Sequence, residues 1–175
     1  MATNLRDAAI LQDFSVWIND VGKIGMAPGF QPPDIQIETE KFRGGGMDGE
    51  VEIPMGISSI EFEFDLHTWD DQVWTLLGYG PGSMDVPITF RGYTMTANGV
   101  EAGVVIETFS LIKSIKTAKV EAGKKVDMTI SLAANRYRHE IGGTTVCDID
   151  LFNKITEIGG TDRTANARKF IGLSY

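Results

Sequence analysis

The sequence has little cysteine and little histidine, and each shortage removes a class of function. Cys147 is the only cysteine in 175 residues, so the chain can form neither an internal disulfide nor a thiol-rich metal site. The two histidines, His67 and His139, stand in no catalytic spacing with serine, cysteine or carboxylate residues. We interpret all three residues as structural, and we predict no catalytic residue, no metal and no cofactor.

Basic residues are also scarce, because 16 lysines and arginines face 24 aspartates and glutamates, a net charge of -8. Such a surface repels nucleic-acid phosphates, so tight nucleic-acid binding is disfavoured. No segment approaches the roughly 20 apolar residues of a membrane span, and the start of the chain has no apolar signal-peptide core. We expect one domain, residues 1–175, made in the cytoplasm and without a membrane anchor.

Apolar and charged residues alternate along three successive segments, 34–42, 49–55 and 59–66. A period of two is typical of strands with one buried and one solvated face. Most of the charged positions are carboxylates: Glu38, Glu40, Glu50, Glu52, Glu61 and Glu63. Since a solvated face normally mixes both signs of charge, the pattern predicts an unusually acidic sheet face. Neither a calcium-loop cadence nor a recognisable catalytic carboxylate pair accompanies it.

The rest of the chain is dominated by strand patterns rich in β-branched residues. Strands are predicted over 14–20, 21–26, 86–96, 104–120, 125–141 and 144–155, with a loop at the proline-rich 27–33. Turn pairs such as Asn19-Asp20, Asn98-Gly99 and Gly142-Gly143 separate them. Since no helical period of comparable strength stands between the strands from residue 86 onward, a parallel βαβ sheet is disfavoured, and the predicted fold class is mainly β with antiparallel strands.

One short helix is predicted after residue 67, where the period changes from two to four. Trp69, Val73 and Leu77 form the apolar stripe, Thr68 is the expected N-cap and Gly78 the expected stop. The C-terminal segment, 161–175, is predicted to be polar and to end in an apolar anchor.

A glycine-rich segment spells Gly44-x-Gly46-x-x-Gly49, the letter pattern of a dinucleotide-binding loop. That motif holds a pyrophosphate only where it opens a helix, whereas a strand pattern ending at Pro54 follows it here. The segment is therefore interpreted as a hairpin tip. A small acidic enzyme that binds a nucleotide at this loop is the alternative from a different functional class, and calorimetry with nucleotides separates the two.

The stretch KFRGGGMDGEVEIPMGISSIEFEF resembles the major tail tube protein of contractile phage tails and R-type pyocins. The positions that carry the resemblance are Phe42, Arg43, Gly45, Gly46, Met47, Val51, Ile53 and Gly56. A second set matches near the end of the chain: Asp148, Ile149, Asp150, Asn153, Asp162, Arg168, Ile171, Gly172 and Leu173. The loop 27–33 and the segment 159–161 depart from the family pattern.

This resemblance implies a β-sandwich or partial barrel with one short helix, a tail-tube fold. It also implies that six copies close into a ring with a continuous β-barrel and that rings stack into the inner tube of the virion tail. Sheath protein, baseplate and tape-measure protein are the implied partners, and DNA passes through without tight binding. A tube of a type VI secretion or extracellular injection apparatus, carrying protein cargo, is the alternative.

Two site hypotheses follow from joining the resemblance to the charge pattern. The first places Glu38, Glu40, Glu50, Glu52, Glu61 and Glu63 at the channel, where carboxylates repel passing DNA over a screening length of about 8 Å. The second has the loop reach a neighbouring subunit or the next ring, since glycine allows close backbone approach. That loop comprises Phe42, Arg43, Gly44, Gly45, Gly46 and Met47.

Overall fold

The computed structural model describes residues 8–80 and 82–173, which form antiparallel strands and two short helices. The strands are β1 Ala9–Ile18, β2 Val21–Gly22, β3 Ile37–Phe42, β4 Val51–Ile57, β5 Ile60–Leu66, β6 Val86–Thr96, β7 Glu101–Thr117, β8 Met128–Ile141, β9 Thr144–Asp150, β10 Ile155–Ile158 and β11 Thr161–Asp162. The helices are α1 Asp71–Thr75 and α2 Ala165–Phe170. The predicted mainly β, antiparallel fold is confirmed.

Nine of the strands form one sheet in the order β11-β10-β9-β8-β7-β6-β1-β2, with β5 also paired to β8. Strands β5 and β9 share one edge of β8, β5 along Met128–Ala134 and β9 from Arg136 onward. Asn135 is the extra residue between them and marks a bulge opposite β7. A bulge bends its strand, so the sheet divides at Asn135 and β5 lies over the core.

The core lies between β5 and the long strands β6, β7 and β8. Phe30, from the proline-rich loop, stacks on Phe90 of β6 with ring centroids 4.9 Å apart and also lies 5.9 Å from Phe62 of β5. This ring fills the gap between β5 and β6, where no strand pairing occurs among the described residues. The sheet therefore does not close on itself.

The hairpin at Asn19-Asp20 is confirmed. Both residues adopt positive φ angles, 48° and 63°, which two-residue hairpin turns require and which asparagine and aspartate tolerate best after glycine. The turn joins Ile18 of β1 to Val21 of β2.

Helix α1 is present, but its predicted boundaries are wrong. Asp70 caps it in place of Thr68, accepting hydrogen bonds from the backbone N–H groups of Gln72 and Val73 at 3.0 and 3.4 Å. Only Val73 of the predicted stripe is fully buried, and Trp69 is exposed. Gly78 follows the helix because a side chain there would meet Leu111 and the backbone of Ile112.

The predicted total of one helix is also wrong, since α2 lies in the C-terminal segment, where no helix was predicted. The end of the predicted apolar anchor, Ser174 and Tyr175, lies outside the described residues. Across the residues that the structure describes, no helix has the length and hydropathy needed to cross a membrane.

A buried ion pair holds α1 against the β1–β2 hairpin. The ammonium of Lys23 contacts the carboxylate of Asp70, with side chains only 6% and 8% exposed. Lys23 also donates to the side-chain oxygen of Gln72 at 3.1 Å. The Asp70 carboxylate therefore accepts hydrogen bonds from the backbone N–H groups at the helix N-terminus and also forms an ion pair with the buried Lys23 ammonium.

Replacing Lys23 by methionine should lower the free energy of unfolding by about 3–5 kcal/mol, because Asp70 then remains buried without a cation. Urea denaturation measures the change. The double variant Lys23→Met/Asp70→Asn is the control, since the amide keeps a capping oxygen without the charge and should recover part of the loss. Equal stability of Lys23→Met and wild type contradicts the assignment.

Candidate assembly surfaces

The β3–β4 ribbon is the most exposed element of the fold. Every residue of β3 and all of β4 except Ile57 is exposed, and the two strands pair only with each other within the described chain. The prediction that their alternation buries one face is therefore wrong for the single subunit. The same alternation in β5 is confirmed, because Ile60, Phe62, Phe64 and Leu66 are buried.

The ribbon register divides the predicted acidic face in two. Glu40 is paired with Ile53, whereas Glu52 is paired with Lys41, and directly opposed residues lie on one side of a ribbon. The 3.1 Å hydrogen bond from Thr39 to Glu52 confirms that Glu52 shares a side with Thr39. One side, here named the acidic ribbon face, carries Glu38, Glu40, Phe42, Val51 and Ile53; the other carries Thr39, Lys41, Glu52 and Pro54.

The loop between the two strands is a hairpin tip, as predicted. The Met47 N–H donates to the Gly44 carbonyl at 3.2 Å, and Gly46 has a φ of 85°, the geometry of a type II turn. No helix follows the Gly44-x-Gly46-x-x-Gly49 pattern, so the arrangement that holds a pyrophosphate is missing. A Cβ added to Gly45 would meet no atom within 4 Å, and its φ lies outside the left-handed region.

The outer side of β5 carries the second group of predicted carboxylates. Glu61 accepts a hydrogen bond from Lys113 at 2.7 Å, and this bond lowers the pKa of Glu61. Glu63 and Asp65 accept from Ser131 and Thr129 of β8. The carboxylates of β5 therefore lie on one face of the sheet, as their spacing predicted. The positive charge of Lys113 neutralises that of Glu61 at one end of this face.

An arginine-centred network organises the C-terminal segment. The Arg168 guanidinium, nearly buried, donates to the Asp162 carboxylate at 2.5 Å and to the Lys154 carbonyl at 2.9 Å. Hydrogen bonds from Arg168 and from the Thr164 backbone hold the pKa of Asp162 well below its usual range. These hydrogen bonds from Arg168 hold the turn after β9 against α2.

The Ile171-Gly172-Leu173 sequence ends α2 in a Schellman motif. Leu173 donates to the Arg168 carbonyl at 2.9 Å, Gly172 donates to Lys169 at 3.3 Å, and Gly172 has a φ of 80°. The resulting end presents Phe170 and Ile171 to solvent, with Phe170 86% exposed. The described residues of the apolar anchor predicted from the sequence are therefore exposed in the single subunit, at a position that depends on the Arg168 network.

The histidines and the cysteine occupy structural positions. His67 contacts Asp127 at 2.6 Å through Nδ1 and Lys125 at 3.2 Å through Nε2. His139 is partly buried, and burial lowers its pKa. Burial likewise raises the pKa of the Cys147 thiol, which keeps it in the less nucleophilic protonated form. None of the three forms a nucleophile–base pair with another.

The open antiparallel fold is shared with chains from contractile injection machines. A chain of the sheath-tube complex of an extracellular contractile injection system, in its extended state, aligns with a TM-score of 0.58 at 15% identity. The alignment covers 78% of this chain and 93% of that one. A chain of the anti-feeding prophage baseplate, solved with 6-fold symmetrisation, aligns with a TM-score of 0.51 at 11% identity, over 82% and 99% of the two chains.

Sequence comparison identifies the family. Residues 8–172 match the family model of phage tail tube protein FII, and the chain belongs to that family. The tail tube protein of Escherichia phage P2 is 28% identical over 166 residues, covering 93% of this chain and 96% of that protein. The resemblance seen in the sequence is confirmed: this is a structural tail tube protein of the contractile phage type, and not an enzyme.

Replacing Asp162 by asparagine should lower the melting temperature at pH 7 by a few degrees, because the Arg168 guanidinium loses its anionic partner. A depressed carboxylate pKa stabilises the fold above the unfolded-state value and loses this effect as the pH falls. The difference between variant and wild type should therefore shrink below about pH 4. Calorimetry from pH 7 to pH 3 measures it, with the exposed Asp48→Asn as the control. A difference in melting temperature that does not change with pH would contradict the ion pair between Asp162 and Arg168.

Proposed function

We propose that six copies of this chain close into a ring and that the rings stack into the inner tube of a contractile phage tail, through which DNA passes. The whole chain, residues 1–175, acts as one tube domain. The observation that carries the proposal is the set of open backbone edges within the described residues: β5 pairs on one side only, and β1, which pairs with β6 on one side, has no strand on its other side along Ala9–Ser15. Unpaired edges seek other strands, and closing a ring supplies them.

A sheath, a baseplate and a tape-measure protein are the proposed partners of the tube. Support for the first two comes from structural relatives solved within a sheath-tube complex and within a 6-fold symmetrised baseplate. The 28% identity to the phage P2 tail tube protein across 93% of the chain favours a phage tail over an injector that carries protein. The protein is then made in the host bacterial cytoplasm and ends in the virion tail.

The bore of the tube is the proposed location of Glu50, Glu52, Glu61 and Glu63. Fixed carboxylates there oppose sticking of DNA, which carries about one charge per 1.7 Å of helix axis. Glu38 and Glu40 were expected at the bore as well. Because they share a face with exposed Phe42, Val51 and Ile53, that face suits a protein contact better than a water-filled channel.

Replacing Gly45 by valine should leave the monomer fold intact, since the added atoms meet nothing within the subunit. If the loop packs closely on another subunit, the same change should reduce tube yield at least tenfold. Negative-stain microscopy at rising protein concentration measures the yield. Gly29→Val, an equally open glycine in another loop, should assemble as wild type does. Wild-type protein that forms no rings or tubes at any concentration argues against the proposed function, and normal assembly of Gly45→Val argues against the loop contact alone.

Reversing the bore charges with Glu50→Lys/Glu52→Lys/Glu63→Lys should leave tubes intact but slow DNA release severalfold, because lysines attract the phosphates. Triggered ejection from phage particles built with the variant measures the rate. Raising the salt should reduce the slowing, since the interaction is screened. Glu121→Lys, in the β7–β8 loop, is the control for a charge change elsewhere. Unchanged ejection kinetics at low salt overturns the bore assignment.

A further inference from the structure

Two exposed surfaces of this chain are complementary in both charge and hydrophobicity. The first is the acidic ribbon face, where Phe42 lies opposite Val51 and the carboxylates Glu38 and Glu40 lie beside Ile53. An isolated two-stranded ribbon is at best marginally stable in water. Its apolar side chains therefore need a partner, and the described part of this chain supplies none.

The second surface, here named the C-terminal patch, comprises Phe152, Lys154, Lys169, Phe170 and Ile171. All five residues are exposed, and neither lysine forms an ion pair within the described residues. The Arg168 network joins the turn that carries Phe152 and Lys154 to the helix that carries Lys169 and Phe170. The patch is therefore held in place before any partner arrives, which reduces the entropic cost of binding.

We propose that the acidic ribbon face of one copy docks on the C-terminal patch of a second copy. Glu38 and Glu40 then oppose Lys154 and Lys169, while the apolar side chains of both surfaces are removed from water. This inference rests on the proposed tube and names the contact that links its subunits.

The geometry of such a contact is suited to a polymer. It joins two different surfaces of the same chain, so it is heterologous, and a pair of copies keeps one free ribbon on one copy and one free patch on the other. Heterologous contacts propagate into closed rings or open helical assemblies. A self-complementary contact would end at a dimer.

Another basic surface competes for the ribbon and provides a matched control. The loop between β7 and β8 carries Lys119 and Lys124, but both contact Glu121 within the loop, and Val120 is its only large exposed apolar side chain. It therefore offers less uncompensated positive charge and less apolar surface than the C-terminal patch. The observations favour the patch.

The test is a charge exchange in the full-length chain. Glu38→Lys/Glu40→Lys and Lys154→Glu/Lys169→Glu should each reduce the yield of sedimentable tubes at least tenfold, because like charges then face each other. The quadruple variant should recover most of the wild-type yield. The tube yield should not recover when Glu38→Lys/Glu40→Lys is combined with Lys119→Glu/Lys124→Glu. Wild-type tube yield in either double variant, or recovery through the loop lysines instead of the patch lysines, overturns the inference while leaving the tube itself intact.

A second measurement applies if a charge variant fails to fold. Phe42→Cys/Phe170→Cys in a Cys147→Ser background places one thiol on each surface, and both positions are exposed. Oxidised tubes should give a ladder of covalent multimers on a non-reducing gel, because each copy links to two neighbours. Either single cysteine alone should give no species beyond a dimer. Oxidised tubes of the double-cysteine chain that contain only monomer overturn the proposed contact.

Discussion

Unsatisfied strand edges are the constraint on which the rest of this structure depends. Backbone N–H and C=O groups at a sheet edge need partners. The described chain leaves β5 open on one side, and it leaves the edge of β1 opposite β6 open along most of its length. The β3–β4 ribbon adds two further edges and a row of exposed apolar side chains. The core of this tail tube protein is therefore packed within the single chain, whereas its surface keeps unpaired backbone groups and exposed apolar side chains.

The interior and the assembly surfaces are built by different means. Phe30 fills the gap between β5 and β6, and the Lys23–Asp70 pair holds α1 in place. These contacts lie within the subunit and need no second copy. Arg168 then holds the C-terminal turn and helix α2 together, so apolar side chains remain exposed in a defined position. A surface that is held in place before binding loses less conformational entropy when it binds.

The sequence predicted most strands because their periodicity reflects burial within the chain, as in β5. The same periodicity misled at β3 and β4, whose apolar positions have no partner within the described residues. Alternation also could not reveal that Glu40 and Glu52 lie on opposite sides, because the hairpin loop and a bulge near Glu38 set the register. Helix α2 was missed because it has only six residues and depends on Arg168, a tertiary contact. The Asp162, Arg168 and Gly172 positions came from family resemblance, and the structure supplies their physical reason.

Hydrogen exchange tests the central account most directly, because it measures backbone protection in the free and the assembled protein. The amides of β3 and β4 should exchange rapidly in the dilute subunit, whereas those of β7 and β8 are protected in both states. On assembly, the exchange of the ribbon, residues 37–57, should slow by at least a hundredfold. Equal exchange of this segment in the dilute subunit and in assembled tubes would contradict the account, since the ribbon would then need no partner.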